Sequence, residues 1–324
     1  MYRVSLAANA TFAALFAISL IGFLTTYALT RRGIAFTVAF SAGVILEVLG
    51  YAGRVMSWKN QWDENGFLMQ ICCLTIAPAF LAAGIYLCLR RIVYVFGPEN
   101  SRISPEMYTR IVSIYLVSSH TTKPLTNTPT KFIPCDVISL ILQAVGGAMA
   151  SIASHNGTDI ETGDNIMIAG LAFQVFTLLI FIGCSLDFAY RVYTRNRTLG
   201  ADAFDQSDVA RKTRNSVLFK GLLASLAIST ILIFWRSVFR VAELSGGWEG
   251  ELMGRQDLFI GFEGVMIIVA CLVLNVFHPS VCFKEMMEGA GGFRSKKGAV
   301  RSETETIVEK GGKSEVSSDG NQTA

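Results

Sequence analysis

Several ionisable and amide side chains lie inside stretches that are otherwise apolar. In "GVILEVLGYAGR", Glu47 falls about two residues from the centre of a long hydrophobic run. At about 100° per residue, Gly43, Glu47, Gly50, Tyr51 and Arg54 share one narrow helical stripe. "WRSVFRVAE" places Arg236, Arg240 and Glu243 at i, i+4 and i+7, again on one face, and "FIGFEGVM" carries Glu263. In "CDVISLILQAVGGAMAS", Asp136, Ser139, Gln143, Gly147 and Ala150 align, while Gly170, Gln174, Phe181 and Ser185 form a weaker stripe. A charged group near the centre of a bilayer costs about 2.5–3.5 kcal/mol even on the lenient insertion scale, so each needs a partner or a task. Singly, these groups can be bonds between helices. As stripes on four or five helices they converge on a common interior, which marks a pathway or a pocket. The candidate substrate-binding set is therefore Glu47, Tyr51, Arg54, Asp136, Gln143, Gln174, Arg236, Arg240, Glu243 and Glu263.

The elements that must carry these side chains follow from composition. Of 324 residues, 52% are apolar and 16% charged, outside the range of soluble domains. A membrane span needs about 20 mainly apolar residues to cross about 30 Å of hydrocarbon. Seven stretches qualify, at about residues 6–29, 34–56, 67–89, 132–153, 166–190, 217–239 and 258–277. The expected fold is all-α, a seven-helix membrane bundle over residues 1–283. The first run is too long for a signal-peptide core and lacks a basic start, so it reads as a span. The last run ends at "NVFHPS", where Pro279 is expected to stop the helix.

Orientation follows from Lys and Arg in the connectors, of which one set holds sixteen and the opposite set six. Retention of basic residues in the cytosol places the N-terminus outside and the C-terminus inside. Four Asn-x-Thr sequons then sort by side: Asn196 and Asn321 face the cytosol, Asn9 lies against the first span, and Asn156 in "SHNGTDIETGD" is the candidate glycan site. Residues 284–324 are rich in Gly, Ser, Lys and Glu and read as a disordered cytosolic tail. The seven cysteines show no CxxC and read as small buried hydrophobes. Three histidines, His120, His155 and His278, do not make a three-histidine zinc site, and no hydrolase or nucleotide-binding motif occurs, which argues against an enzyme and against a metal.

The combination "E47xxG50Y51xxR54", "AP78AFLAAGIY86", "D136xxS139xxxQ143xxG146G147", "R236xxFR240xxE243", Glu263 and "H278P279" resembles the fungal lipid-translocating exporter family, also called the RTA-like or 7-aminocholesterol-resistance family. The resemblance covers about residues 10–290. It implies a lipid or amphiphile translocator, with sphingoid long-chain bases or toxic aminosterol-like molecules as cargo, membrane lipids and amphiphiles as partners rather than nucleic acid, no cofactor, and the plasma membrane as location. It leaves open a seven-helix sensor of lipid asymmetry that does no transport. In the translocator reading a carboxylate such as Glu47 or Glu263 pairs with the ammonium head. Arg54, Arg236 and Arg240 serve as counter-charges or as ligands for a phosphate head.

One stretch departs from the family pattern, which runs from "YTRI" directly into "FIPCD". Here Val112 to Lys131, a Ser/Thr/Pro-rich segment, intervenes. Val112–Ser113 can be encoded by GTAAGT, a splice-donor sequence, Leu125–Thr126 can contain the branch-point sequence CTAAC, and Lys131 can be AAG. The segment therefore reads as a retained in-frame intron, the alternative being a disordered cytosolic insertion. Most transcripts are expected to join the Ile111 codon directly to the Phe132 codon; reads running through the segment in most messages refute this.

Overall fold

A computed structural model describes residues 5–59, 64–96, 133–199, 208–246, 252 and 255–283. Among them the only regular structure is helical. α1 (Leu6–Thr30) is opened by Ser5, whose hydroxyl accepts from the Ala8 amide at 3.5 Å, and is closed by Arg31 in the left-handed region, φ 50°. α2 (Ile34–Lys59), α3 (Glu64–Phe96), α4 (Ile133–Asn156) and α5 (Glu161–Leu199) follow, then a short polar helix, α6 (Asp208–Asn215), and α7 (Val217–Ser245).

The seventh span is built in pieces. α8 (Gln256–Phe259) passes into a π-helical turn, Ile260–Val265, and then into α9 (Met266–Val276). The chain breaks at Phe277, φ −101° and ψ 60°, one residue before His278. The helix thus stops ahead of Pro279, as expected. Pro279 itself opens α10 (Pro279–Cys282), because the proline has no N–H and the first turn of a helix leaves its N–H groups unpaired in any case. Seven helices are thus long and apolar enough to cross a membrane, and the chain is an integral membrane protein. The chain divides after Cys282; of the second unit only Phe283 is described. Residues 112–131 and the tail from residue 284 lie outside the described residues.

The helices close a ring in which each packs on the next: α1 on α2, α2 on α3, α3 on α4, α4 on α5, α5 on α7, α7 on α9, and α9 back on α1. α3 also touches α5 and α7, so it is the hub. Its apolar window is 61% buried against 22% for α1, which explains why polar groups on α3 meet protein rather than lipid. The outer surface inverts the pattern of a soluble protein: Ile18, Ile21, Ile141, Phe176, Leu179 and Ile231 are exposed and face the hydrocarbon. With lipid outside, burying apolar side chains gives little net drive, and close backbone approach and hydrogen bonds hold the helices together.

The α4–α5 pair shows that approach most closely. A Cβ on Gly146 would lie 2.5 Å from the Met167 amide nitrogen and 2.7 Å from the Gly163 carbonyl oxygen, and one on Gly163 would lie 2.4 Å from the Ala150 nitrogen. Four residues, 157–160, join the two helices, with Gly157 at φ +65°. Ring closure uses Asn275 of α9, whose amide donates to the Ser19 carbonyl at 3.0 Å and to its hydroxyl at 2.7 Å on α1. Substituting Gly146→Val is expected to destabilise the protein by about 1–3 kcal/mol, because the neighbouring atoms are backbone and cannot yield. Gly183→Ala, which meets nothing within 4 Å, serves as the control. Thermal unfolding of the two variants in micelles checks the contrast.

Candidate functional site

Three arginines, each at most 2% exposed, reach from α2 and α7 toward α3. Arg54, near the end of α2, donates from Nε to Asn9 Oδ1 on α1 at 2.9 Å and from Nη1 to Gln70 Oε1 on α3 at 3.3 Å. Its guanidinium carbon lies 3.6 Å from the centre of the Phe259 ring on α8, a cation–π contact. A single side chain on α2 thereby joins α1, α3 and α8. Arg240 of α7 pairs with Glu243, one turn on, at 2.5 Å, and its guanidinium reaches Thr75 Oγ1 of α3 at 3.4 Å.

Arg236 is the centre of the group. One terminal nitrogen donates both to the Glu263 carboxylate in the π-turn and to the Leu74 carbonyl of α3. That carbonyl would accept from residue 78 in a regular helix, but residue 78 is proline and has no N–H. The guanidinium supplies the missing donor. The π-turn supplies the other half of the arrangement, because its extra residue per turn re-aims the side chains around Glu263. Gly264 beside it admits the Phe12 ring of α1, which would lie 2.6 Å from any Cβ there.

Arg54, Arg236 and Arg240 are balanced in number by Glu47, Glu243 and Glu263, so the cluster is formally neutral. Its hydrogen bonds are not complete. Glu47, at the middle of α2 and fully buried, has no hydrogen-bond partner on either carboxylate oxygen, although Arg236 and Arg240 are its charged neighbours. Nε and Nη1 of Arg236, the second oxygen of Glu263 and the Tyr51 hydroxyl are likewise unpartnered. The Tyr51 ring is held by Phe12 and Phe16, with centroids at 5.4 and 5.5 Å.

The other predicted residues form a separate seam. Asp136 and Gln143 of α4 and Gln174 of α5 are each at most 4% exposed, and Gln143 Nε2 donates to Gln174 Oε1 at 2.8 Å. Both carboxylate oxygens of Asp136, Gln143 Oε1 and Gln174 Nε2 have no partner. Ser139, between them on the same face, donates to the Asp136 carbonyl at 2.7 Å. α3 runs between seam and cluster: Gln70, Leu74 and Thr75 meet the arginines, whereas Cys72 lies against Gly147 of α4.

The structure thus gathers Glu47, Tyr51, Arg54, Arg236, Arg240, Glu243 and Glu263 into one cluster and sets Asp136, Gln143 and Gln174 apart. The three arginines are closed off from solvent. Asn156 is exposed at the end of α4. Spacing did not mark Asn9, Gln70, Thr75 or Phe259 as partners. Asn9 was visible as a polar residue at the start of an apolar run, and so was Gln70, but both lie outside the stripes that the acids and arginines define.

A polytopic bundle whose interior holds buried ion pairs and unpaired carboxylates is the architecture of a membrane protein that handles polar groups at depth. The chain belongs to the RTA1-like family, whose model, described as "RTA1 like protein", matches residues 40–120 and 109–286. The two matched stretches overlap over residues 109–120, and the second runs through residues 112–131. Among its relatives in Saccharomyces cerevisiae, the sphingoid long-chain base transporter RSB1 is 33% identical over 276 residues, covering 79% of this chain and 67% of that protein. Protoporphyrin uptake protein 1 is 28% identical, covering 74% and 67%, and Protein RTM1 is 29% identical, covering 72% and 64%. No solved structure matches the chain.

Removing one member of a buried ion pair leaves its partner uncompensated, at a cost of about 3–5 kcal/mol, whereas replacing both by apolar groups is far milder. Arg236→Ala is therefore expected to destabilise the protein by that order, and the double variant Arg236→Met with Glu263→Leu to recover part of the loss, the Leu74 carbonyl remaining without its donor. Denaturation in micelles measures both; equal losses for the single and double variants would show that the pair does not carry the stability.

Proposed function

We propose that this protein translocates sphingoid long-chain bases, or cationic amphiphiles like them, across the plasma membrane, with its N-terminus outside and its C-terminus in the cytosol. The observation that carries the proposal is the pair of buried carboxylates, Glu47 and Asp136, that have no hydrogen-bond partner inside an apolar bundle. A buried carboxylate without a partner is costly, and an ammonium ion arriving as a guest relieves that cost. A sphingoid base brings such an ion on an apolar tail that hydrocarbon accepts. The name of the 33% identical relative supports the same cargo, and the names of its transporter and uptake relatives support a carrier rather than an enzyme.

Within the cluster, Glu47 is the acid a cation can reach without breaking an existing pair, since Arg236 holds Glu263 and Arg240 holds Glu243. Tyr51 lies one turn away on the same stripe, its hydroxyl also without a partner, and offers a polar contact beside the carboxylate. The arginines act as counter-charges to the acids. Substitution Glu47→Gln keeps the shape and removes the charge. It is expected to lower long-chain-base efflux, and the tolerance of cells to these bases, by about tenfold or more, the loss for one charge-assisted contact. Efflux from cells expressing the variant at the wild-type level is the measurement, and an unchanged rate would assign Glu47 to helix packing.

A further inference from the structure

The two amides of the seam form one hydrogen bond where facing carboxamides can form two. Gln143 Nε2 donates to Gln174 Oε1 at 2.8 Å, and this leaves an acceptor, Gln143 Oε1, and a donor, Gln174 Nε2, both buried and, among the described residues, unpartnered. One group satisfies an acceptor and a donor together: an alcohol, whose O–H donates and whose oxygen accepts. On the same face of α4, two turns or about 10 Å along the axis, stands Asp136. It is 4% exposed, both of its oxygens are unpartnered, and it lies in the first turn of the helix, where the backbone favours a negative charge. Among the described residues no cationic side chain pairs with it.

We propose that the α4–α5 seam is a subsite that reads the head of a protonated amino alcohol: Asp136 takes the ammonium and the Gln143–Gln174 pair takes a hydroxyl. This deepens the proposed function and rests on it for the cargo class. The two positions lie about 10 Å apart along the helix axis and act as neighbouring stations for the head. Ser139 lies between them on the same face, so polar groups continue along that line from one station to the other. Glu47, on the far side of α3 among arginines, can serve any cation. The amide pair is what separates an amino alcohol from a plain alkyl amine, because only the hydroxyl completes its hydrogen bonds. The Gln143 and Gln174 side chains cannot both be satisfied by an apolar head, and a buried polar group left unmade costs more than the bond returns when formed.

The test uses the full chain, purified in micelles, and two probes with the same tail: dihydrosphingosine, which carries two hydroxyls, and octadecylamine, which carries none. The wild type is expected to bind dihydrosphingosine about tenfold more tightly, the size of a satisfied acceptor and donor. Gln143→Met and Gln174→Met keep side-chain length; both are expected to abolish that preference by weakening the binding of dihydrosphingosine. Asp136→Asn is expected to weaken both probes. The proposal is overturned if the wild type shows no preference or no binding, if the Met variants keep the preference, or if Met variants that remain monodisperse on gel filtration lose both probes equally. Flux of the same probes into liposomes separates the two readings. Glutamine-dependent preference without flux removes the transport function and leaves the seam, whereas flux without that preference removes the seam and leaves transport.

Discussion

Arg236 reaches the Leu74 carbonyl because Pro78 cannot donate to it. In a soluble protein water satisfies such a carbonyl; at membrane depth a protein group has to do so. The same nitrogen holds Glu263, and Glu263 comes from the π-helical turn of the seventh span. Two departures from ideal helix, on the hub and on the last span, thus share one guanidinium. The planar fork of arginine allows this, with several donors in fixed directions, where the point charge of a lysine would serve one acceptor well and the other poorly.

Around that contact the interior divides according to how completely its polar groups are matched. Arg54 and Arg240 are held by amides, a hydroxyl, an acid and an aromatic ring, and they tie α2 and α7 to the hub. Such pairs fix which helices adjoin, and α1 is drawn in through Asn9. Glu47 on one side of α3 and Asp136 on the other have, among the described residues, no hydrogen-bond partner on either carboxylate oxygen, and the Gln143–Gln174 pair ties α4 to α5 through one bond while leaving one polar atom of each amide unmatched. What is, in the sequence, a single population of buried polar residues is thus divided in the structure between matched and unmatched groups.

Much of this was legible in the chain. Seven apolar runs gave seven spans, because only helices and closed barrels satisfy their own backbone polar groups in hydrocarbon, and runs of about 20 apolar residues fit the helix. Helical spacing placed Glu47, Tyr51 and Arg54 on one buried face and Arg236, Arg240 and Glu243 on another, and both faces are buried. Span ends were read short, since apolar content marks where the hydrocarbon ends and not where the helix does: α5 continues past residue 190, with Asp187 and Arg191 paired at 2.8 Å across one turn. The π-turn had no signature, because one extra residue per turn leaves composition unchanged. Nor could spacing give the partner of the Leu74 carbonyl. Pro78 announces a free acceptor, but the donor lies 162 residues away and is chosen by how α3 and α7 meet.

α5 has one further consequence. Its 39 residues make a rod of about 58 Å, against about 30 Å of hydrocarbon, so nearly half its length stands in headgroups and water. The four-residue turn and the glycine contacts bind it to α4. A tilt of so long a rod within the bilayer carries its protruding tip farther than any point inside the hydrocarbon.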